Sequence, residues 1–149
     1  MANQYVVFQL DDELYGVEIT QVRTIEKSLP LTRVPHAPNF VKGVCNLRGS
    51  VVPVMDLKKR LSLPETPDEE IDRIMIVNLG RYSVGMTIDS ANDVVTIEPD
   101  DIEPSPSIIS GINAEFIQGV AKVNNRLLII LDLQKILTLD QIGQLEKLN

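Results

Sequence analysis

The sequence predicts a mainly β fold in which two related, barrel-like subdomains share one hydrophobic core. Short apolar runs alternate with tight polar turns along most of the 149 residues, a pattern typical of strands joined into hairpins. A stretch of 22 residues at 40–61 returns 76 residues later at 116–137, so the chain contains one structural unit twice. Trp is absent and only six residues are aromatic, so we expect Val, Ile and Leu to build the core.

Each copy of the unit begins with a predicted hairpin, and the two hairpins are related by an offset of 69 residues. A glycine lies inside the second strand of each hairpin, Gly16 in the first copy and Gly85 in the second. Such a glycine indicates a bulge or a close approach of another segment, and it lets a small sheet curl into a barrel. The four strands are expected at Tyr5–Leu10, Leu14–Ile19, Ile74–Leu79 and Ser83–Ile88, with turns at 11–13 and 80–82.

The segment after each hairpin carries apolar residues at a spacing of three. This spacing favours a helical turn or an irregular extended segment. Prolines further along each copy exclude a long helix there. The apolar residues are Ile19, Val22 and Ile25 in the first copy and Ile88, Ala91 and Val94 at the same places in the second.

The repeated stretch contains a second hairpin in each copy. In the first copy its strands are Gly43–Leu47 and Val51–Met55, and the Gly-containing turn at 48–50 predicts a hairpin with a bulge. Pro53 lacks an amide donor, so its strand is expected at a sheet edge or beside a bulge. After this strand, Asp56 can cap a short helical turn that places Leu57 and Leu61 on one face.

The two copies are expected at about 4–62 and 73–138, joined by an acidic, proline-containing linker. The repeat alone leaves open whether the two barrels exchange strands. The chain ends on 139–149, where apolar residues at helical spacing predict an amphipathic helix. This helix could pack on its own barrel or bind a partner.

Charge and composition exclude several classes of partner. The formal net charge of −7 opposes non-specific binding to nucleic acid and to anionic lipid. The single cysteine, Cys45, excludes an internal disulfide and fits a reducing compartment. No apolar run approaches about 18 residues, and the N-terminus lacks the features of a signal peptide. We therefore expect a cytoplasmic protein with no direct membrane insertion and no nucleic-acid partner.

A search for catalytic and metal-binding patterns finds little. His36 is the only histidine and lies in a proline-rich segment, so a two-histidine metal site is excluded. Asp56 and Asp132 could act as the carboxylate pair of a small hydrolase. Each, however, occupies the same place in its own copy, just before a Leu-rich turn, and helix capping explains both. We favour capping, and we expect no catalytic residue, no metal and no cofactor.

The first set of candidate binding residues lies where the two copies diverge. Asn46, Leu47, Arg48 and Gly49 of the first copy are replaced by unrelated residues at 122–125, so the scaffold is shared and the loop is not. Loops on a rigid scaffold commonly carry function. Arg48 offers a planar fork of donors suited to carboxylates at an interface, although it could instead bond local carbonyls to hold the turn.

The second set consists of Val22, Ile25 and Val94, which follow the two hairpins. Apolar residues just beyond the hairpins of two tandem barrels would converge on the groove between them. By spacing alone, a place in the core is favoured over a place at an interface.

Three stretches of the chain resemble the CheW family of bacterial chemotaxis coupling proteins. They are YGVEITQVRTIEK, VPHAPNFVKGVCNLRGSVVPVMDLKKRL and FIQGVAKVNNRLLIILDLQKIL, and the resemblance extends from about Tyr5 to Leu137. It implies one CheW-like domain over 1–149, built as two intertwined SH3-like five-stranded β-barrels around a shared core. It also implies no enzyme activity. The family joins the cytoplasmic tips of methyl-accepting chemoreceptors to the regulatory domain of the histidine kinase CheA, in arrays associated with the membrane.

The resemblance also assigns residues. The receptor tip is expected in the groove between the barrels, at positions matched here by Val22, Gly43, Arg48 and Val94, with Ile25, Asn46 and Leu47 beside them. The kinase is expected at the barrel ends. Thr24, where many family members carry an acid, and Glu26 are the candidate kinase contacts. A coupling protein of a parallel pathway, such as one that controls pili, would have the same sequence features.

Overall fold

The computed structural model describes residues 2–27, 30–36, 39–61, 63, 73–80, 82–104 and 114–136. The terminal helix predicted at 139–149 lies outside these residues. Over the described residues the chain forms ten strands and two four-residue α-helices. The strands are β1 (Asn3–Leu10), β2 (Glu13–Glu18), β3 (Val22–Lys27), β4 (Val41–Leu47), β5 (Ser50–Met55), β6 (Arg73–Leu79), β7 (Tyr82–Ile88), β8 (Ser90–Ile97), β9 (Ile117–Val123) and β10 (Arg126–Leu131), and the helices are α1 (Leu57–Arg60) and α2 (Leu133–Ile136).

The strands form two five-stranded sheets with the same internal arrangement. The first sheet has the order β8-β1-β2-β10-β9, and the second has the order β3-β6-β7-β5-β4. Exchanging the two sequence copies converts one order into the other, because β1 to β5 correspond to β6 to β10. Each sheet thus takes a hairpin from one copy and three strands from the other. The mainly β fold predicted from the sequence is confirmed.

A parallel strand pairing joins the two copies within each sheet, and a glycine lies at each pairing. Gly16 of β2 is opposite Ile130 of β10, and Gly85 of β7 is opposite Val54 of β5. A Cβ on Gly16 would lie 3.3 Å from the Leu128 side chain, and one on Gly85 would lie 3.0 Å from Val54. Neither glycine is at a register shift. Of the two roles predicted for these glycines, close approach is therefore the one found.

The apolar side chains form one shared core and one smaller core inside each sheet. Strand β6 illustrates the division, because alternate side chains point to opposite faces. Met75 and Val77 join the shared core, whereas Ile74 and Ile76 line the interior of the second sheet. The shared core includes Val6, Phe8, Val17, Ile129 and Leu131 of the first sheet and Met55, Met75, Val77, Met86 and Ile88 of the second.

The segment after each hairpin is more extended than the sequence suggested. A 3₁₀ turn spans only Ile19–Gln21, and β3 begins directly after it. Both β3 and β8 contain one residue that their neighbour does not match, Arg23 in β3 and Asn92 in β8. Each of the two strands therefore contains a bulge at the same place, and a bulge increases the local twist and curvature of its strand.

Strand β5 is not an edge strand, so the edge alternative for Pro53 is wrong. The other alternative, a nearby bulge, is present, because the register of β4 and β5 shifts between Val41 and Gly43. Pro53 lies opposite Val44, whose N–H and C=O both bond to Thr32, at 2.9 and 2.8 Å. The Pro53–Val44 pair therefore exchanges no hydrogen bonds. Pairing of β5 with β7 on the other side begins only at Val54. The missing amide of the proline consequently removes no bond from the sheet.

Candidate functional site

The turn between β4 and β5 contains two residues, and the predicted three-residue turn with a bulge is wrong. Leu47 pairs with Ser50, so the loop is Arg48 and Gly49, with φ of 52° and 88°. Positive φ at both central residues is the pattern of a type I′ turn, which matches the twist of a hairpin. The corresponding turn of the second copy, 124–125, has φ of 51° and 65° and is built of two asparagines.

Arg48 is exposed at the tip of this turn, and a neighbouring side chain holds the turn in place. The Asn46 Oδ1 accepts a hydrogen bond of 2.9 Å from the Gly49 N–H. Among the residues that the structure describes, the Arg48 side chain takes part in no hydrogen bond or ion pair. The alternative in which Arg48 bonds local carbonyls to hold the turn is therefore not what the structure contains.

Two other candidates from the same strand are inside the protein. Leu47 is buried and packs with Cys45 and Val52 in the interior of the second sheet. Gly43 is buried too, and a Cβ there would collide with the backbone carbonyl oxygen of Thr32. The turn therefore presents Arg48 and Asn46, while Gly43 and Leu47 support it from within.

Strand β3 carries four of the candidate residues and lies at an edge of the second sheet. Val22 and Ile25 are half-buried and pack against the shared core. Thr24 and Glu26 pair with Ile76 and Ile74, so their side chains share the opposite face, toward the interior of the second sheet. The Thr24 hydroxyl donates a long hydrogen bond of 3.5 Å to Glu26 Oε2. The two proposed kinase contacts are thus half-buried and adjacent.

Val94 lies on β8 of the first sheet, and 43% of its surface is exposed. The strand register shows that its counterpart in the second sheet is Ile25. Val94 pairs with Val6 in β1, and Ile25 pairs with Met75, the residue of β6 that is 69 positions further along the chain. Val22 corresponds instead to Ala91. In the structure the candidate binding residues therefore lie at three separate places: the turn that carries Arg48, the edge strand β3 and the edge strand β8.

Sequence reasoning missed two exposed apolar residues, Val51 and Leu127, which are 51% and 49% exposed. Each is the second residue of the strand that follows a two-residue turn, and the two are 76 positions apart. Val51 lies opposite Asn46 across the hairpin. The alternation of side chains along a strand could have predicted them. Each lies on the face of its strand that points toward the shared core, but beyond the end of that core.

The carboxylates considered for catalysis act as helix caps. Asp56 Oδ1 accepts a hydrogen bond of 3.1 Å from the Lys59 N–H, and Asp132 Oδ1 accepts one of 3.1 Å from the Gln134 N–H. Asp56 also lies 3.6 Å from the Lys42 ammonium. Because each carboxylate is engaged at its own helix, the geometry gives no support to a paired hydrolytic site.

In the part of the chain that the structure describes, the remaining reactive side chains are Cys45, Tyr15 and His36. Burial raises the pKa of the Cys45 thiol, which keeps it protonated and unreactive. Burial also raises the pKa of Tyr15, whose hydroxyl donates a 3.0 Å hydrogen bond to Glu13. His36 is exposed. Within the described ranges, no group of three or more His, Cys, Asp or Glu residues could hold a metal ion.

No helix in the described part of the chain has the length and hydropathy needed to cross a membrane. The arrangement that remains is an exposed arginine turn, two edge strands and a few exposed apolar side chains on a rigid β scaffold. These features can make contacts with another protein.

Comparisons with known proteins give a consistent result. Residues 4–141 match the family model described as a CheW-like domain. The chain is 35% identical to the chemotaxis protein CheW of Treponema pallidum (strain Nichols), over 97% of this chain and 88% of that protein. It is 40% identical to the chemotaxis protein CheW of Bacillus subtilis (strain 168), over 89% of this chain and 85% of that protein. The crystal structure of the scaffolding protein TtCheW from Thermoanaerobacter tengcongensis superposes with a TM-score of 0.84 and 34% identity, covering 95% of this chain and 91% of that one.

Proposed function

This chain belongs to the CheW family of chemotaxis scaffold proteins, and from that membership we propose that it couples chemoreceptor cytoplasmic tips to the regulatory domain of the histidine kinase CheA. It acts as an adaptor and catalyses no reaction. It works in the cytoplasm and is recruited to receptor arrays at the membrane.

The observation that carries the proposal is the conformation and surroundings of Arg48. A left-handed backbone conformation is uncommon for a residue with a long side chain, whereas asparagine tolerates it. The second copy has asparagine at the same point, yet the first copy has an arginine that is exposed and unpaired within the described chain. Stability does not explain this arginine. A binding role does, because its guanidinium is free to meet carboxylates of a partner.

The receptor tip would contact the Arg48 turn together with apolar residues at the two edge strands. Asn46 lies in the same turn, Val22 and Ile25 line the β3 edge, and Val94 is exposed on the β8 edge. The kinase would approach the outer part of the second sheet, where Thr24 and Glu26 remain partly accessible. The two partners would then use different faces of β3.

The proposal is tested by titrating a receptor cytoplasmic fragment against wild type, Arg48→Glu and the control Lys122→Glu. Lys122 is an exposed lysine near the corresponding turn of the first sheet, so the control makes the same charge change on the same scaffold. Arg48→Glu should fold as wild type by circular dichroism and bind the fragment at least about tenfold more weakly, a loss of about 1.4 kcal/mol. Equal binding by all three proteins would contradict the proposal, and an unfolded Arg48→Glu would give Arg48 a structural role.

A further inference from the structure

One charged side chain of this protein, a lysine, is buried between the two sheets and paired with carboxylates. Lys58 of α1 is 6% exposed. Its Nζ lies 2.9 Å from Asp11 Oδ1 and 3.2 Å from Asp89 Oδ2. Burying a charged group is costly unless the group is paired and hydrogen-bonded, so these contacts are required for the lysine to remain there.

The charged groups of this cluster come from both sheets. Asp11 lies in the turn between β1 and β2 of the first sheet, whereas Lys58 follows β5 of the second. Asp89 lies at the point where the chain passes from β7 of the second sheet to β8 of the first. Its N–H donates to the Gln9 carbonyl at 3.0 Å, and its Oδ2 accepts from the Asp11 N–H at 2.6 Å. The cluster is therefore a polar connection between the two sheets.

Among the residues that the structure describes, the cluster is present at one of the two related ends and absent from the other. Shifting its members by the offsets of the repeat leads to Gly80 for Asp11, Thr20 for Asp89 and Gln134 for Lys58. These replacements carry no charge, so the same connection cannot form at the other end. The near-symmetry of the two sheets is broken here by three charged side chains.

The physical effect of such a cluster is on geometry more than on stability. Apolar packing, which supplies most of the contact between the sheets, is non-directional. An ion pair with hydrogen bonds is directional, and replacing a buried one by apolar side chains is often neutral for stability. We propose that Lys58 is a positioning residue that, through Asp11 and Asp89, fixes the two sheets in one relative arrangement. The consequence for receptor binding rests on the proposed function, because Arg48 and Val94 lie on different sheets.

The arrangement of the sheets can be measured directly with a pair of spin labels. Lys27 of β3 and Thr96 of β8 are exposed and lie on the second and first sheets. Labels there report the distance between sheets by pulsed electron resonance, in a Cys45→Ala background that copies the equivalent Ala121. Wild type should give one narrow distance distribution. Lys58→Met, which keeps an unbranched side chain of similar length without the charge, should give a distribution at least about twice as broad.

Two controls isolate the role of the buried charge. Lys59→Met removes a charge from the adjacent, exposed lysine of the same helix and should leave the distribution narrow. Lys58→Arg keeps the charge and should also stay narrow. If Lys58→Met fails to fold cooperatively in urea, the near-isosteric Asp89→Asn replaces it and should broaden the distribution. An unchanged distribution in the folded variants overturns the proposal.

Binding of a receptor fragment to unlabelled protein then tests the link with function. Lys58→Met should bind at least about threefold more weakly than wild type and Lys59→Met, because a partner that touches both sheets must first fix their arrangement. A broadened distance distribution with unchanged binding overturns the claim that this arrangement matters to the partner. Wild-type protein that binds no receptor fragment contradicts the proposed function, while the distance measurement still decides the role of Lys58.

Discussion

At the β4–β5 turn, Arg48 adopts a left-handed conformation that the corresponding Asn124 adopts more easily. Because the two copies carry different residues at this position, replacing the residue of one copy by that of the other is a direct test. Arg48→Asn should keep the turn and leave the free energy of unfolding unchanged or raised by up to about 1 kcal/mol. Binding to a receptor fragment should nevertheless fall by about tenfold.

Urea unfolding and fragment titration measure the two effects separately. If Arg48→Asn loses stability and binding together, the arginine supports the fold, and the argument from conformation fails. Retained binding would show that the turn backbone, and not the guanidinium, meets the partner.

Gly43 and Gly119 hold equivalent places, and both face backbone. A Cβ on Gly43 would collide with the Thr32 carbonyl oxygen, and one on Gly119 would lie 2.9 Å from that of Glu103. Gly43→Val and Gly119→Val should each lower the free energy of unfolding by about 1–3 kcal/mol. The control is Thr96→Val at an exposed strand position. Urea midpoints equal to wild type at either glycine would contradict this account.

At the scale of single residues, the sequence predicted that Gly43 and Gly119 have the same role, because both occupy the same place in the repeat. It placed Arg48 in the turn, but it indicated Leu47 as a binding residue and could not predict that the Leu47 side chain is buried. Leu47 and Arg48 are neighbours in one divergent stretch, and the residue at which the strand ends depends on the length of the turn. A two-residue turn places the last strand residue inside and the next one at the tip.

At the scale of elements, β3 and β8 are related edge strands, and their register determines which residues are equivalent. Counting along the chain at the hairpin offset of 69 residues places Ile25 and Val94 at the same point, whereas treating Val22 and Val94 as equivalent requires an offset of 72. The shared bulge and the pairing with β6 and β1 make Ile25 the counterpart of Val94. A bulge is invisible to simple periodicity because it shifts the pattern by one residue.

Although Ile25 and Val94 are equivalent in register, their different burial leads to different expectations for the stability of their variants. Ile25 packs against the shared core, so Ile25→Asp should destabilise the protein by about 2 kcal/mol or more. Val94 is 43% exposed, so Val94→Asp should change stability by less than about 0.5 kcal/mol. If a receptor buries Val94, Val94→Asp should still weaken receptor binding by about tenfold, since a fully buried Val contributes about 1.5–3 kcal/mol.

Kinase binding is the control for Val94→Asp. It should survive, because the proposed kinase contacts are on β3 of the other sheet. Equal loss toward both partners with a lowered melting temperature would show that Val94 acts through stability. Val22→Asp should resemble Ile25→Asp, because Val22 packs on the same core.

At the scale of the whole molecule, the repeat predicted two related units and left their connection open. In the structure each sheet combines a hairpin of one copy with three strands of the other. The sequence could not decide this, because the strands of both copies have the same apolar pattern and could pair within or between copies. The copies are joined at the parallel pairings, where Gly16 and Gly85 admit side chains of the strand opposite.

Because each sheet contains strands of both copies, we expect that neither copy folds alone. Fragments 4–62 and 73–138 should each lack cooperative urea unfolding, because each leaves a hairpin without its three partner strands. Mixed at equal concentration, they should recover a β-sheet circular dichroism spectrum and a cooperative transition. A cooperative transition in either isolated fragment would show that the copies are independent domains.

The central claim is that this protein physically connects receptor and kinase, and co-sedimentation tests it most directly. Receptor-containing membranes are pelleted with CheA alone, with CheA and wild-type protein, and with CheA and Arg48→Glu. The account predicts that wild type increases the pelleted kinase several-fold, and that Arg48→Glu leaves it at the level of kinase alone. Kinase that pellets equally in all three mixtures would contradict the account.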